Sequence, residues 1–112
     1  MDGLAVPADT SAAEELAKRL PSGTPVVKAF NTTFATTLVA GEVAGQKLDV
    51  FIAGDDEAAK QTVATLVESG GLHPLDVGPL RRARQLEQLM FLNMTIQEPL
   101  GLGYQNAIKV LP

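Results

Sequence analysis

The segment "LDVFIAG" (Leu48 to Gly54) constrains this chain more than any other. Nearly every side chain in it is apolar, so a strand here has no face to turn to water and must be covered on both. The next segment supplies one cover. "DDEAAKQTVATLVESGG" sets Ala59, Val63, Leu66 and Val67 on one stripe at helical spacing. Asp55 or Asp56 caps its start, acids fill the first turn, and Gly70 and Gly71 stop it. "HPLDVG" then reads as another strand, kept short because Pro74 cannot donate to a ladder.

The alternation continues in both directions. In "ADTSAAEELAKRL", Ser11 and Glu14 have the spacing of a capping box, Leu16, Ala17 and Leu20 share a face, and Lys18 and Arg19 suit the last turn of a helix. "TPVVKAF" is β-branched and apolar, which predicts a strand over Val26 to Phe30. "TTFATTLVAGE" predicts a short helix ended by Gly41, and "GQK" a turn. "PLRRARQLEQLMFLNMTIQE" is a second long helix with Pro79 at its start and Pro99 and "GLG" at its end. "AIKVLP" (Ala107 to Pro112) is a last short apolar run. The order α-β-(α)-β-α-β-α-β implies parallel strands joined by right-handed crossover helices, an α/β fold. Residues 1–112 show no repeat and no linker and read as a single domain.

Composition excludes several functions. Net charge is −4 with no Lys/Arg-rich run, which argues against a nucleic-acid groove or an anionic membrane as partner. With no cysteine and one histidine, the chain has no disulfide, no thiolate nucleophile and no zinc site of the usual kind. No G-x-S-x-G elbow accompanies His73, whose place between Leu72 and Pro74 suits a surface or turn role. "MDGLAVPADTS" lacks the features of a signal peptide, and no apolar run approaches the ~20 residues of a membrane span, so a cytoplasmic protein is expected.

Four features stand out. Asp55, Asp56 and Glu57 are either a metal-binding cluster or, more simply, a capped helix start. Arg81, Arg82 and Arg84 sit where a helix dipole disfavours cations. They pair with Glu87, Asp76 or solvent, or meet an anionic cofactor tail or a partner subunit. Leu86, Leu89, Met90, Phe91, Leu92, Met94 and Ile96 wrap most of the last helix, which predicts burial on more than one side and a subunit interface or apolar ligand wall. Finally, "VVKAFNTT" ends an apolar strand in Asn31, Thr32 and Thr33. Either Asn31 and Thr32 cap the next helix, or all three lie at the ligand-binding carboxyl edge of the sheet together with Gly54-Asp55-Asp56 and Gly78-Pro79. "GLGYQN" resembles half of a dinucleotide fingerprint but comes after a helix, not a strand.

Taken together, "VVKAFNTTFATTLVAGE", "LDVFIAGDDEAAKQTVATLVESGGL", "DVGPLRRARQLEQL" and "GYQNAIKVLP" resemble the NADPH:coenzyme F-420 oxidoreductase-like family over about residues 11–112. A related domain occurs in membrane metalloreductases. The resemblance implies a Rossmann-like, mostly parallel sheet and hydride transfer between NADP and the deazaflavin F-420. It reaches only the C-terminal part of the family's fold: the strand and G-x-G-x-x-G turn with which members begin are missing. The implied NADP phosphate site thus has no counterpart here, and the isolated chain is expected to be inactive, as part of a longer enzyme or as a short homologue. By resemblance, Asn31, Thr32 and Thr33 lie near the reacting rings, and the apolar helix and the loop with Leu102 and Gly103 wall the deazaflavin pocket or a subunit contact. No catalytic acid or base is implied, because the cofactors carry the redox chemistry. Self-association is expected, through the Leu86–Ile96 helix or an open sheet edge. The rival expectation is a non-catalytic dimerisation or regulatory module.

Overall fold

The computed structural model describes residues 7–112, apart from the side chains of residues 35 and 36. The irregular N-terminus read from the first ten residues therefore lies largely outside the described residues. Its elements are α1 (Ala12–Arg19), β1 (Val27–Lys28), α2 (Ala35–Ala40), β2 (Glu42–Val43), β3 (Gln46–Lys47), β4 (Asp49–Gly54), α3 (Glu57–Ser69), β5 (His73–Gly78), a 3-10 turn (Leu80–Arg82) and α4 (Ala83–Thr95).

β4 is the centre of the molecule, as its composition requires, and is buried at all six positions. Its alternating side chains feed two layers. Val50 and Ile52, with Leu48 before them, pack against Val67 and Leu72 under α3. Phe51 and Ala53 meet Leu86 of α4 on the other face. Each large apolar side chain so buried contributes about 1.5–3 kcal/mol. β5 lies parallel to β4, with Asp49 opposite His73 and a register shift after Ile52. The unit β4–α3–β5 makes the fold a Rossmann-like α/β type.

α1 starts as its sequence predicts. Ser11 Oγ accepts from Glu14 N–H and so caps the helix, and its hydroxyl donates to the Glu14 carboxylate, where a full capping box would use the Ser11 backbone N–H. Its buried residue is Ala13, which packs with Leu80, Ala83 and half-buried Ala17, while Leu16 faces solvent. α4 clasps it with two charges. Arg84 donates to both oxygens of Glu14 at 2.8 and 2.9 Å. Glu87 accepts from Ala12 N–H at 2.8 Å and Ala13 N–H at 3.3 Å. α2 ends on Gly41 in the left-handed region, as expected.

Three details differ from the sequence reading. β1 keeps only two residues and pairs antiparallel, Val27 opposite Gly54 and Lys28 opposite Ala53. The chain leaves the sheet at Phe30, whose φ is 65°. Instead of one turn at "GQK", a small hairpin joins β2 and β3 through Ala44 and Gly45, both at positive φ, as tight hairpins require. Lastly, Ala107–Pro112 forms no strand. Ala107 packs on the α3 layer and Ile108 on the α4 layer, the alternation of an extended chain. Yet no backbone ladder bond holds it among the described residues, and Val110 N–H donates instead to Asp49 Oδ2 at 2.8 Å. This segment takes over the side of β4 that β1 leaves.

Antiparallel β1 also moves the expected site. Its end points toward the amino end of β4, so Asn31, Thr32 and Thr33 do not share an edge with Gly54-Asp55-Asp56 and Gly78-Pro79.

Candidate functional site

The carboxyl end of the parallel pair is fully engaged in holding itself together. Asp56 Oδ1 accepts from Ala59 N–H at 2.8 Å and caps α3. Asp55 Oδ1 accepts from Leu80 N–H at 3.0 Å, tying β4 to the turn after β5. Lys60, buried, reaches Glu57 and Asp76, each at 3.1 Å. Burial opposes the charge on Lys60, but the two carboxylates outweigh it and raise its pKa. Burial likewise pushes the Asp76 carboxyl up, and Gly78 N–H and Lys60 together bring it below the ordinary range. Gly54 has no room to spare: a Cβ there would meet Lys60 Cγ and the Val26 carbonyl oxygen at 3.1 Å. No group of three or more acids or histidines able to hold a metal occurs among the described residues. Of the three arginines, Arg84 pairs with Glu14, a partner the sequence did not suggest, and Arg81 and Arg82 are exposed without an ion pair among the described residues.

The exit from β1 is different. Asn31 Nδ2 donates to the Leu86 carbonyl at 2.9 Å, while Asn31 Oδ1 is buried with no partner. Thr32 is 3% exposed. Thr33 Oγ1 donates back to the Phe30 carbonyl at 2.8 Å and stabilises the left-handed turn. Asn31 and Thr32 do not cap α2, because its N-cap is Phe34, which makes no side-chain cap bond. Phe34 then meets Tyr104 edge to face, centroids 5.3 Å apart. The contact brings the Asn31–Thr33 turn and the Leu102–Gly103 loop into one neighbourhood. Leu102 is half-buried; Gly103 (φ 63°) and Tyr104 (φ 58°) are exposed at positive φ.

Behind that loop lies a polar network that sequence reasoning missed. Gln97, 1% exposed, donates to the Asn93 carbonyl at 2.8 Å, to Asn93 Oδ1 at 3.2 Å and to Asn106 Oδ1 at 2.8 Å. It accepts from Tyr104 N–H at 2.8 Å and so fixes the loop. Asn106 donates to Asn93 Oδ1 at 2.8 Å, and Asn93 Nδ2 is left buried without a partner. The available signal was the pair Asn93 and Gln97, four apart in a mostly apolar run. α4 thus buries amides on one side and exposes Leu92 and Met94 on another.

These features can be set beside known proteins. No protein-family model matches the chain. A crystal structure of a provisionally assigned F420-dependent NADP reductase from Arthrobacter sp. FB24 superposes with a TM-score of 0.82 at 32% identity, over 93% of this chain and 47% of that one. The chain resembles the F-420-dependent NADP reductases in fold as well as in sequence. It is also 44% identical over 79 residues to the metalloreductase STEAP3 of Rattus norvegicus, a match covering 70% of this chain and 16% of that protein. It therefore spans less than half the length of either relative. The reductase-like fold is the common ground, and no helix among the described residues is long and apolar enough to cross a membrane.

Proposed function

We propose that the chain contributes the acceptor-side part of an NADP-linked oxidoreductase that passes hydride between NADP(H) and coenzyme F-420 or a related acceptor. The observation that carries this reading is the likeness of nearly the whole chain to a provisionally assigned F420-dependent NADP reductase. The deazaflavin supplies the hydride chemistry when bound; the chain supplies shape. Thr32, buried, and Asn31, half-buried and tied to the Leu86 carbonyl, set the turn after β1. Thr33, Phe30, Leu102 and Tyr104 form the accessible surface, and around Gly103 a Cβ would find nothing within 4 Å, so a flat ring can approach the backbone there. Apolar side chains on both sides exclude water from such a contact. The residues do not fit the NADP phosphates, since no G-x-G-x-x-G cradle occurs in the sequence, and we assign them no part in holding that group.

A second reading, a non-catalytic dimerisation or regulatory module, is favoured by Leu92, Met94 and Leu100, exposed on α4 and just after it. In it the α4 surface or the free edge of β5 joins two copies in the cytoplasm. Two titrations separate the readings. Calorimetry with NADPH is expected to show no tight binding, and micromolar binding would overturn the assignment of the nucleotide to residues outside this chain. F-420 fluorescence is expected to change saturably on adding the chain, and to change less with Tyr104→Ala. No response to the chain, together with concentration-dependent dimers in sedimentation, would favour the module.

A further inference from the structure

A polar cluster at the amino ends of β4 and β5 takes no part in the proposed hydride chemistry. Asp49, whose side chain is fully buried, accepts from His73 Nδ1 at 3.0 Å, Lys109 Nζ at 2.8 Å and Val110 N–H at 2.8 Å. Burial pushes its carboxyl up, but these three donors outweigh burial and hold it ionised, below the ordinary range. A carboxylate cannot donate, so Nδ1 carries the proton in this bond, and the other nitrogen, Nε2, is the one left to accept. The His73 side chain is 55% exposed and Nε2 has no partner among the described residues.

His73 lines a cleft of about 310 Å³ with Lys47, Glu68, Leu72, Pro74 and Lys109. The chain's net charge is −4, yet this cleft gathers two lysines and its sole histidine, with Glu68 on its lining and Asp49 behind it paired to Lys109. Lys109 spends two of its three N–H groups on Asp49 and the Lys47 carbonyl, leaving one. Lys47 is exposed and has no ion pair among the described residues. The cleft therefore offers one acceptor on a fixed imidazole beside ammonium donors. A carboxylate ligand would satisfy only the ammonium groups, since it has no proton to give at neutral pH. A phosphate group with one acidic O–H satisfies both, because its second proton leaves near pH 6 and part of it remains singly protonated around neutrality.

We propose that this cleft binds a singly protonated phosphate group, its O–H donating to His73 Nε2 and its anionic oxygens accepting from Lys47 and Lys109. Because the chain has one histidine, a single imidazole signal reports the site. Nitrogen-15 spectra of the full chain should show the Nδ1–H form of His73. Titration with inorganic phosphate should shift that signal saturably, and sulfate, which has no such proton near neutral pH, should bind more weakly. Glycerol phosphate binding more tightly than inorganic phosphate would mark the natural group as an ester; equal binding would mark the free anion. Lys47→Met, on an exposed hairpin, should weaken phosphate roughly tenfold or more, the scale of one charge-assisted hydrogen bond. An Nε2–H tautomer, no saturable shift, equal response to sulfate, or unchanged affinity in Lys47→Met would each overturn the proposal.

Discussion

At the carboxyl ends of β4 and β5, Asp55, Asp56, Asp76 and Lys60 all have partners, and Gly54 fits against Lys60 and Val26 without slack. At the exit from β1, Phe30 and Tyr104 sit at positive φ, and Asn31 Oδ1 and Asn93 Nδ2 are buried without partners. A non-glycine residue in the left-handed region costs about 1–2 kcal/mol, and a buried orphan polar atom costs a comparable amount. Such arrangements persist only where the surroundings impose them, and they gather at functional sites. The edge at which an open parallel sheet usually takes its ligand is therefore a structural joint here. The strained, under-satisfied turn lies elsewhere, beside the Leu102–Gly103 loop.

Three measurements test the contrast. Gly54→Ala should destabilise the chain by about 1–3 kcal/mol, because the backbone oxygen of Val26 cannot yield as a side chain can. Urea unfolding with an unchanged midpoint would mean that the joint has slack after all. Acid should act next, through groups away from the strained turn. Glu14, Asp49 and Asp76 have folded pKa values below their ordinary values of 4.5, 3.8 and 3.8. Their contribution is present above those ordinary values and is lost as pH falls through the lowered folded ones. Lys60 is raised above 10.5, so its contribution is present below that pH and is lost only as pH rises past the folded value. Stability should thus be level through neutrality and fall at both extremes; a step near pH 7 in a melting series would contradict this. The smallest effect is expected at the strained turn. Phe30→Gly relieves the left-handed strain while freeing the unfolded chain, so stability should stay within about 1 kcal/mol of the parent, even as binding of F-420 weakens. A larger loss in the melting temperature would make Phe30 a packing residue instead.

What the sequence showed clearly was local. The all-apolar β4, the cap at Ser11, the cap at Asp56, the stop at Gly41 and the strand His73–Gly78 each rest on a few neighbouring residues, and each is where the pattern put it. The resemblance was legible for the same reason, in short blocks such as "KAFNT" and "FIAGDD". What stayed hidden depends on distant partners. Nothing near Val27 says that it will run antiparallel to a strand more than twenty residues later. Glu87 looked like a partner for neighbouring arginines, but it serves the amide groups of Ala12 and Ala13, 75 and 74 positions away. Gln97 was hidden because it stands beside Glu98 at the polar end of the helix pattern, where periodicity gives no reason to bury an amide. Of the candidate site, the Phe34–Tyr104 contact sets the turn Asn31–Thr33 near the loop of Leu102 and Gly103, while antiparallel β1 takes Asn31 and Thr32 away from the sheet edge expected for them.

The lane beside β4 is filled in relay, first by Val27 and Lys28 and then by Ile108 to Val110. The two runners reach it on very different schedules. The first can dock once β4 has formed, after closing a modest loop. The second waits for a closure of 61 residues, from Asp49 to Val110, and gains no ladder bonds on arrival. Closure cost rises slowly with loop length, but contacts this distant in sequence slow the search for the native state. The final hydrogen bond to Asp49 would then act as a latch that closes late. Until it does, one flank of the central strand stands open, and the newly made chain is most exposed to pairing with a neighbour over those few residues.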